Sequence, residues 1–391
     1  VNLAEMKSWK DQVVDRLTGG IGDLFKRNGV EVVMGNATFT GSNSLAVESE
    51  EGTIRVEANH ILVAVGCRVA SLPGLEVDGE TILSAREALD LEEIPKTLLV
   101  IGGGIVGCEI GTYLAKLGSK VTIVEMADSL LTGTEPELVK VVHRGMKKRK
   151  MTVYTSSKVT RVDPTKEGLE AALDTPKGEI ILNPDKVLVA VGFVPNTDSL
   201  ALDKAGVERD EAGHIVVDSQ MRSSNPTLYA IGDVVGPPYL AHKASKEGLV
   251  VAEVVAGANI DMDVNAMPAA IFTDPEIATV GLTEEAARGR GVDVKVGSFP
   301  FAANGKSLAS NHTEGFVKFV ADASDDTLLG VHIVGADASN IITEAALAIE
   351  MGATVADIAL TVHPHPTLSE TLMEAAHVVE GHAIHIFSPK A

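Results

Sequence analysis

The chain has 391 residues, 45% of them hydrophobic, which is enough for two or three domains with separate cores and excludes a disordered protein. Its 33 basic and 54 acidic residues give a formal net charge of −21, so nucleic acid and anionic membrane surfaces are excluded as expected partners. Two cysteines cannot form the disulfide framework of a small secreted protein. The sequence has neither an apolar run of membrane-spanning length nor a signal-peptide layout, and we expect a cytoplasmic protein.

The first residues predict one long amphipathic helix that ends at Gly29. Short alternating strands are predicted over Val30–Val56, and the apolar run His60–Gly66 follows them. Within the helix the apolar side chains recur at helical spacing and form one stripe, made of Trp9, Val13, Leu17, Ile21, Leu24 and Phe25.

The next region has the order strand, glycine turn, helix, strand. Thr97–Ile101 is a short apolar strand, a helix is predicted from the glycine turn to about Leu117, and Val121–Glu125 is a second strand. This βαβ order is typical of a parallel doubly wound sheet, so we predict an α/β fold.

The glycine turn matches the dinucleotide fingerprint at Gly102, Gly104 and Gly107. The first glycine allows the tight turn, the second lets the backbone approach a pyrophosphate, and the third lets the helix pack closely on the strand. Glu125, at the end of the second strand, can accept hydrogen bonds from ribose hydroxyls and would repel a 2′-phosphate. The pattern therefore favours NAD over NADP; the alternative is a tight turn without a ligand.

An internal repeat links two parts of the chain. Residues 59–66 and 185–192 both end in Leu-Val-Ala-Val-Gly, and we predict that the closing Gly66 and Gly192 lie at cofactor sites. The second copy closes a segment that opened with a glycine turn, whereas the first copy has none before it. We therefore expect that the opening strand, glycine loop and helix of the first nucleotide unit are missing from the chain as given.

A third strand-to-turn, Leu228–Asp233, ends in Gly232 and Asp233 and precedes a helix around His242–Ala256. A carboxylate at this place can bind a ribose or polyol hydroxyl while the helix N-terminus faces a phosphate. The alternative is that Asp233 only caps the helix. The parallel repeats favour a second cofactor.

From about Met267 the pattern changes to a separate α+β region. Val317–Ala321 and Leu328–Val334 predict adjacent antiparallel strands joined by a turn over Asp322–Asp326. Helices are predicted at Ser339–Met351 and Leu368–Val379.

The string from His363 to Glu370 is the most unusual in the chain. Thr367 and Glu370 are spaced as a capping box, which could alone account for the glutamate. Glu370 could also fold back to His365 and make it a general base that accepts a thiol proton. Two other interpretations stay open: His363 and His365 could be rigid structural residues, or they could bind a metal, although no further clustered ligands are evident.

Taken together, these motifs closely resemble the pyridine nucleotide–disulfide oxidoreductases, and within that family the enzymes that oxidise dihydrolipoamide. The resemblance covers nearly the whole chain and rests on six segments in the family's order: Ile101–Glu109, Val124–Met126, Tyr229–Val234, Leu240–Gly248, Phe272–Glu276 and His363–Glu370.

The resemblance implies two cofactors, FAD and NAD. Asp233 would bind FAD, and Ala241 and His242 would lie beside the flavin. Glu125 would hold the adenosine ribose of NAD, and Glu109 would lie where nicotinamide meets flavin.

The resemblance also implies a general base, His365, oriented by Glu370 and serving the active site of the other subunit of a homodimer. Dihydrolipoamide would be oxidised on the lipoyl carrier domain of a 2-oxo acid dehydrogenase complex. The implied fold has two doubly wound nucleotide-binding domains, the FAD one incomplete at its N-terminus, and a C-terminal α+β dimerisation domain. We assign residues 1–95 and 223–262 to the FAD-binding domain, 96–222 to the NAD-binding domain and 263–391 to the dimerisation domain.

Three positions depart from the family pattern. The first glycine loop and the reactive CxxxxC pair do not occur in this sequence, and Cys67 and Cys108 stand at other motif positions as small packing residues. Phe193 stands where the family usually has a basic residue. We expect that a segment has been lost and that the 391 residues alone do not turn over lipoamide.

Two alternatives stay open. The chain could be another disulfide reductase of the same family, or a non-catalytic NAD-binding dimer. Flavin content distinguishes them, because a catalytic protein is expected to be yellow and a binding module colourless.

Overall fold

The computed structural model describes residues 2–166 and 168–387, and these form two compact units. The first consists of residues 2–70, 90–93 and 192–263, and the second of residues 71–89, 94–191 and 264–387. Residues 71–89 thus belong with the second unit and residues 192–222 with the first, unlike in our sequence-based boundaries. The assignment of the four predicted segments to cofactor domains stays a prediction.

Ten α-helices occur in the described residues. They are α1 (Leu3–Arg27), α2 (Ala85–Ala88), α3 (Ile105–Leu117), α4 (Pro136–Lys148), α5 (Ala241–Val255), α6 (Glu284–Gly289), α7 (Gly305–Ser310), α8 (Ala338–Glu350), α9 (Val355–Ala359) and α10 (Glu370–Val379). None of them is long and apolar enough to cross a membrane.

The same residues form twenty strands. In the first half of the chain these are β1 (Asn36–Gly41), β2 (Ser44–Ser49), β3 (Gly52–Glu57), β4 (Ile61–Val63), β5 (Cys67–Val69), β6 (Ile82–Leu83), β7 (Thr97–Ile101), β8 (Lys120–Val124), β9 (Thr152–Tyr154) and β10 (Lys158–Thr165). In the second half they are β11 (Gly168–Thr175), β12 (Gly178–Leu182), β13 (Lys186–Val189), β14 (Phe193–Pro195), β15 (Leu228–Ala230), β16 (Ala269–Ile271), β17 (Glu276–Gly281), β18 (Val294–Pro300), β19 (Phe316–Asp322) and β20 (Leu328–Gly335).

The first unit contains the long helix α1 and three small sheets. Strands β1, β2 and β3 form an antiparallel sheet, β4 pairs in parallel with β15, and β5 pairs antiparallel with β14. The predicted strands therefore begin at Asn36 rather than at Val30. Apart from Glu31, residues 30–34 are valine or methionine, but in the described chain they pair with no strand, and propensity without a partner does not make a sheet.

Helix α1 matches its predicted length but not the burial that an amphipathic pattern usually brings. The Asn2 side chain caps its N-terminus by accepting a hydrogen bond from the Glu5 N–H, and the chain leaves the helix near Gly29, which has φ of +68°. Among the described residues nothing buries its apolar stripe: Trp9 is 70% exposed and Leu17 65%. The spacing of the apolar residues therefore predicted the helix correctly, but it did not predict whether their side chains are buried.

The second unit contains the predicted parallel sheet, with strand order β6, β13, β7, β8, β9. All four neighbouring pairs are parallel, and after Thr97 β7 consists of buried apolar residues, as expected for a strand covered on both faces. Helix α3 connects β7 to β8 and ends at Gly118, whose φ of +113° satisfies the left-handed turn after the helix. An antiparallel sheet of β10, β11 and β12 shares the core of this part.

The C-terminal part of the second unit is an antiparallel sheet with strand order β16, β17, β20, β19, β18. The predicted pairing of β19 with β20 is confirmed, and helices α8 and α10 supply buried residues to the same core. This part is the predicted α+β region.

A buried cation joins helix α4 to that sheet. The side chain of Lys318, on β19, is 7% exposed, and its Nζ lies 3.0 Å from Glu135 and 3.4 Å from Glu284 and also contacts Glu137. A buried ammonium without carboxylates would be very costly, so this cluster fixes where the start of α4 meets β19.

We predict that Phe319→Ala destabilises the chain by about 3–5 kcal/mol, because the ring is fully buried in the antiparallel core and truncation leaves a cavity. Phe387→Ala is the matched control: its ring is 90% exposed, and we expect a change within about 0.5 kcal/mol. Urea unfolding measures both variants. Similar losses for the two would contradict the core described here.

Candidate functional site

The glycine turn between β7 and α3 depends on backbone contacts that no side chain would allow. Gly102 has φ of +105°, and a Cβ there would overlap the carbonyl oxygen of Ala190. A Cβ on Gly107 would in turn overlap the carbonyl oxygen of Gly102. The predicted roles of these two glycines in turn formation and close helix packing are thus consistent with the geometry.

The N-terminus of α3 is open where the sequence predicted a pyrophosphate. Gly104 is the N-cap residue, its backbone is extended, and within the described chain no side chain caps the helix. A Cβ on Gly104 would meet no atom within 4 Å, so there is open space beside this N-cap residue. A thirteen-residue helix with unpaired N–H groups and a clear approach fits a diphosphate.

Glu125, the residue directly after β8, holds this turn in place. Its carboxylate accepts hydrogen bonds from the N–H of Gly103 at 2.6 Å and the N–H of Ala127 at 2.7 Å. Sequence reasoning missed Gly103, where a Cβ would overlap Leu130. A carboxylate has about four acceptor positions, so Glu125 keeps capacity for ribose hydroxyls.

A cleft of about 400 Å³ lies beside the residue that follows Glu125. Its size is in the range of small-molecule sites. Lys158 and Asp174, opposite each other on the paired strands β10 and β11, both line it, and the Lys158 Nζ lies 4.0 Å from an Asp174 carboxylate oxygen. The complete lining is Met126, Ser156, Ser157, Lys158, Asp174, Thr175 and Pro176.

Glu109, on α3, is held by a segment far away in the sequence. Its carboxylate accepts a hydrogen bond from the N–H of Phe272 at 2.7 Å. Burial raises the pKa of Glu109, and this hydrogen bond opposes the increase. The contact joins two of the segments on which the family resemblance rests.

Two basic residues at the end of helix α4, Lys148 and Arg149, form ion pairs with carboxylates that are distant in the sequence. Arg149 forms an ion pair with Asp274, which also lies 2.9 Å from Lys116, and Lys148 pairs with Glu314. Burial alone would raise the pKa of Asp274, but its cationic neighbours more than offset this and lower it. These ion pairs connect the end of helix α4 to other segments of the second unit.

In the first unit, Asp233 lies in a short 3₁₀ turn, Gly232–Val235, directly after β15. Helix α5 begins later, with Leu240 as its N-cap, so Asp233 does not cap it. Ala241 and His242 are the exposed first residues of α5. A carboxylate beside an exposed helix N-terminus fits the hydroxyls and diphosphate of a second nucleotide cofactor.

A buried ion pair that sequence reasoning missed holds this turn. Lys243 Nζ lies 2.9 Å from Glu247 and donates to the carbonyl oxygen of Gly236 at 3.2 Å. The other oxygen of Glu247 accepts from the N–H of Gly232 at 2.7 Å. Both side chains are more than nine-tenths buried. Their i, i+4 spacing was visible in the sequence, but exposed pairs have the same spacing, so the spacing alone gave no signal.

Gly66 and Gly192, the last residues of the two repeats, both lie in the first unit. Gly66 and Gly192 both have positive φ, and their carbonyl oxygens accept from the N–H groups of Asn196 and Ala70, which ties the two loops together. At Phe193 the ring packs edge-on against Tyr239 at 5.8 Å, an apolar contact in place of the basic group seen in the family pattern.

Neither described cysteine has the character of a reactive thiol. Cys108 is buried on α3, and burial raises its pKa to about 12. Cys67 donates to the carbonyl oxygen of Asp233 at 3.3 Å, and burial followed by the charge of Asp233 raises its pKa. Both thiols stay protonated at neutral pH, in agreement with their prediction as packing residues.

His365 and Glu370 are in direct contact, as predicted. The His365 Nδ1 lies 2.8 Å from a Glu370 carboxylate oxygen, and the imidazole is 75% exposed. The second Glu370 oxygen accepts from the N–H of Thr367 at 2.7 Å. Burial alone would raise the pKa of Glu370, but these hydrogen bonds more than offset it and lower the pKa.

The predicted capping box of Thr367 and Glu370 is wrong. Helix α10 has Ser369 as its N-cap residue, and the Thr367 hydroxyl donates to the carbonyl oxygen of Pro364 at 2.7 Å instead of accepting from the helix. Glu370 still holds the N–H of Thr367. The reason is geometric: helix α10 starts two residues too late for the reciprocal arrangement.

Two family profiles match the chain. Residues 2–248 match the pyridine nucleotide-disulphide oxidoreductases, and residues 267–376 match the dimerisation domain of the same family. The chain belongs to the pyridine nucleotide-disulphide oxidoreductases.

Curated relatives in this family share much of the sequence. The dihydrolipoyl dehydrogenase of Thermus scotoductus is 46% identical over 99% of this chain and 84% of the relative, and that of Halobacterium salinarum is 44% identical over 98% and 82%. The dihydrolipoyl dehydrogenase of Geobacillus stearothermophilus is 42% identical over 99% and 82%.

Solved structures in the family have the same fold. LpdA from Mycobacterium tuberculosis has a TM-score of 0.90 and 26% identity, covering 96% of this chain and 83% of that one. The HOCl-induced flavoprotein disulfide reductase RclA from Escherichia coli has a TM-score of 0.89 and 25% identity, covering 97% and 86%. The family and the fold class that the sequence predicted are thus confirmed, and the roles of individual site residues stay predictions.

We predict that Lys243→Met destabilises the first unit by about 3–5 kcal/mol, because it leaves the Glu247 carboxylate buried without its cation. The double change Lys243→Met with Glu247→Gln should cost less than the single one, since Gln keeps an acceptor for Gly232 and removes the charge. The exposed Lys246→Met on the same helix is the control. Urea unfolding of the three variants measures these differences. A double variant with a lower free energy of unfolding than Lys243→Met would contradict the prediction.

Proposed function

We propose that this protein oxidises dihydrolipoamide and reduces NAD⁺. Two thiols lose two electrons and two protons and close a disulfide bond, while NAD⁺ gains a hydride and one proton is released to water. The contact between His365 and Glu370, in a chain 44–46% identical to dihydrolipoyl dehydrogenases, carries the proposal.

His365 is the proposed general base. Its Nδ1 faces Glu370, so the Glu370 carboxylate sets the ring orientation and leaves Nε2 to take the proton of a substrate thiol. The ring is exposed enough to meet a substrate outside this chain. In a homodimer that substrate would lie at the partner's active site, which is consistent with the dimerisation-domain match over residues 267–376.

FAD and NAD, when bound, supply the two-electron and hydride-transfer chemistry. We assign the NAD diphosphate to the open N-terminus of α3 and its adenosine ribose to Glu125, whose charge disfavours the 2′-phosphate of NADP. For FAD we assign Asp233 with Ala241 and His242 at the start of α5. Gly66 and Gly192 are proposed to lie at the cofactor sites, and Glu109 is proposed to lie where nicotinamide meets flavin.

The proposed natural substrate is a lipoyl group carried by a protein domain of a 2-oxo acid dehydrogenase complex. Dithiol–disulfide exchange is not assigned to Cys67 or Cys108, because both thiols are kept protonated. The chain's own contribution is to hold the cofactors and to accept a proton at His365.

The decisive assay uses the protein isolated from its natural source. We expect NADH to form from dihydrolipoamide and NAD⁺, little product with NADP⁺, and flavin absorbance in the purified protein. A colourless protein that binds NADH without turnover would overturn the proposal and leave a nucleotide-binding dimer.

We predict that His365→Gln, introduced in the natural gene, lowers the rate of dihydrolipoamide oxidation by about 10²–10⁴-fold. NADH affinity should be unchanged, since the base is not assigned a role in nucleotide binding. His312→Gln, at an exposed histidine of the same unit, is the matched control. A loss of NADH binding in His365→Gln, or equal rates for both variants, would count against His365 as the base.

A further inference from the structure

The segment that carries the proposed base contains a second histidine in a different environment. The His363 side chain is only 3% exposed, whereas that of His365 is 75% exposed. Burial of a titratable ring two residues from the proposed base requires an explanation that the reaction does not give.

Both ring nitrogens of His363 have oxygen partners. Nδ1 lies 2.8 Å from the carbonyl oxygen of Thr361, and Nε2 lies 2.8 Å from Glu344, on helix α8. A carbonyl oxygen only accepts, so Nδ1 carries a hydrogen. At this separation a bare Nε2 and a bare carboxylate oxygen would repel each other, so a second proton lies between them.

That second proton belongs on the imidazole. The ordinary pKa is about 6.5 for histidine and about 4.3 for glutamate, so the ring is much the stronger base. The hydrogen bond to Glu344 raises the pKa of His363 further; burial opposes this, and the carboxylate of Glu370, on α10, adds to the increase. These two carboxylates and the Thr361 carbonyl are the groups that act on the ring from the elements around it.

We propose that His363 is a positioning residue: a buried imidazolium, ion-paired with Glu344, that ties the segment bearing His365 to helix α8. The inference rests on the proposed function, because it concerns the placement of the proposed base. The two histidines then divide their tasks, since His363 keeps its proton while His365 exchanges one with substrate.

The pair makes stability and placement depend on pH in a defined direction. Because the folded pKa of His363 lies above its unfolded value of about 6.5, the pair stabilises the fold fully below that pH. The stabilisation is lost as pH rises through the folded pKa, when His363 becomes neutral.

Glu344→Gln is the sharpest test because it is isosteric and uncharged. The amide can donate to a neutral His363 Nε2, so the hydrogen bond can persist while the reason for the extra proton disappears. Glu285→Gln, at an exposed position on helix α6 of the same unit, is the charge-matched control.

The first measurement is the ¹⁵N NMR signal of the histidine rings in the natural protein as a function of pH, with His363→Gln used for assignment. We expect both nitrogens of His363 to be protonated at pH 7 in the wild type and in Glu285→Gln, and only one in Glu344→Gln. A neutral His363 at pH 7 in the wild type, or a proton retained in Glu344→Gln, would overturn the inference. The same spectra show whether each variant is folded.

The second measurement is the pH profile of dihydrolipoamide oxidation. We expect kcat of Glu344→Gln to be about tenfold below wild type near pH 6.5 and the two to converge as pH rises, since the wild type then loses the same ion pair. The KM for NAD⁺ should not change. Equal kcat at every pH with a protonated His363 would show a proton without a positioning role and overturn the inference. If neither the wild type nor the variants turned over dihydrolipoamide, the proposed function would be wrong. The NMR result would still show whether His363 is protonated by its contact with Glu344, so failure of the function and failure of the inference can be told apart.

Discussion

Carboxylates that accept hydrogen bonds from backbone N–H groups hold the loops that carry the candidate functional residues. Glu125 holds the glycine turn through Gly103, Glu247 holds the Asp233 turn, and Glu370 holds Thr367. Such charge-assisted bonds are shorter and stronger than neutral ones, and a loop that moved away would leave a half-buried charge without its donors. The positions of the functional side chains therefore follow from where these carboxylates lie.

Carboxylates also pair with buried basic side chains. Glu247 pairs with Lys243, and Glu344 pairs with His363 on a different element. Removing two charges from water costs about as much as their attraction returns, so such pairs add little net stability. What they add is a defined arrangement, because any alternative packing would bury an unpaired charge.

Cofactor binding differs from these pairs, because it requires polar groups that are not already paired within the protein. The N-terminus of α3 is open and Gly104 leaves free space before it, so the helix can direct its N–H groups to a diphosphate. The cysteines contrast with this arrangement: Cys108 is enclosed, and burial raises its pKa to about 12, so its thiol stays protonated at neutral pH.

The sequence by itself determined the elements whose signals are local. The strand, turn and helix around Gly102 were predicted nearly to the residue because backbone sterics allow only glycine there. The contact of His365 with Glu370 was also accessible, since the two lie five residues apart in a rigid segment. The family resemblance rests on the same kind of short, contiguous segments, and the order of residues alone is therefore enough to reveal it.

Only the tertiary structure decided which distant groups meet. Glu344 lies 19 residues before His363 and on another element, and Phe272 lies 163 residues after Glu109, so no pattern could pair them. The periodicity of the sequence predicted the apolar stripe on helix α1, but it could not predict which residues would bury it. In the described chain the stripe remains exposed. The physical reason is common to these cases: local sequence fixes backbone preference, whereas burial and ion pairing depend on residues brought together from far along the chain.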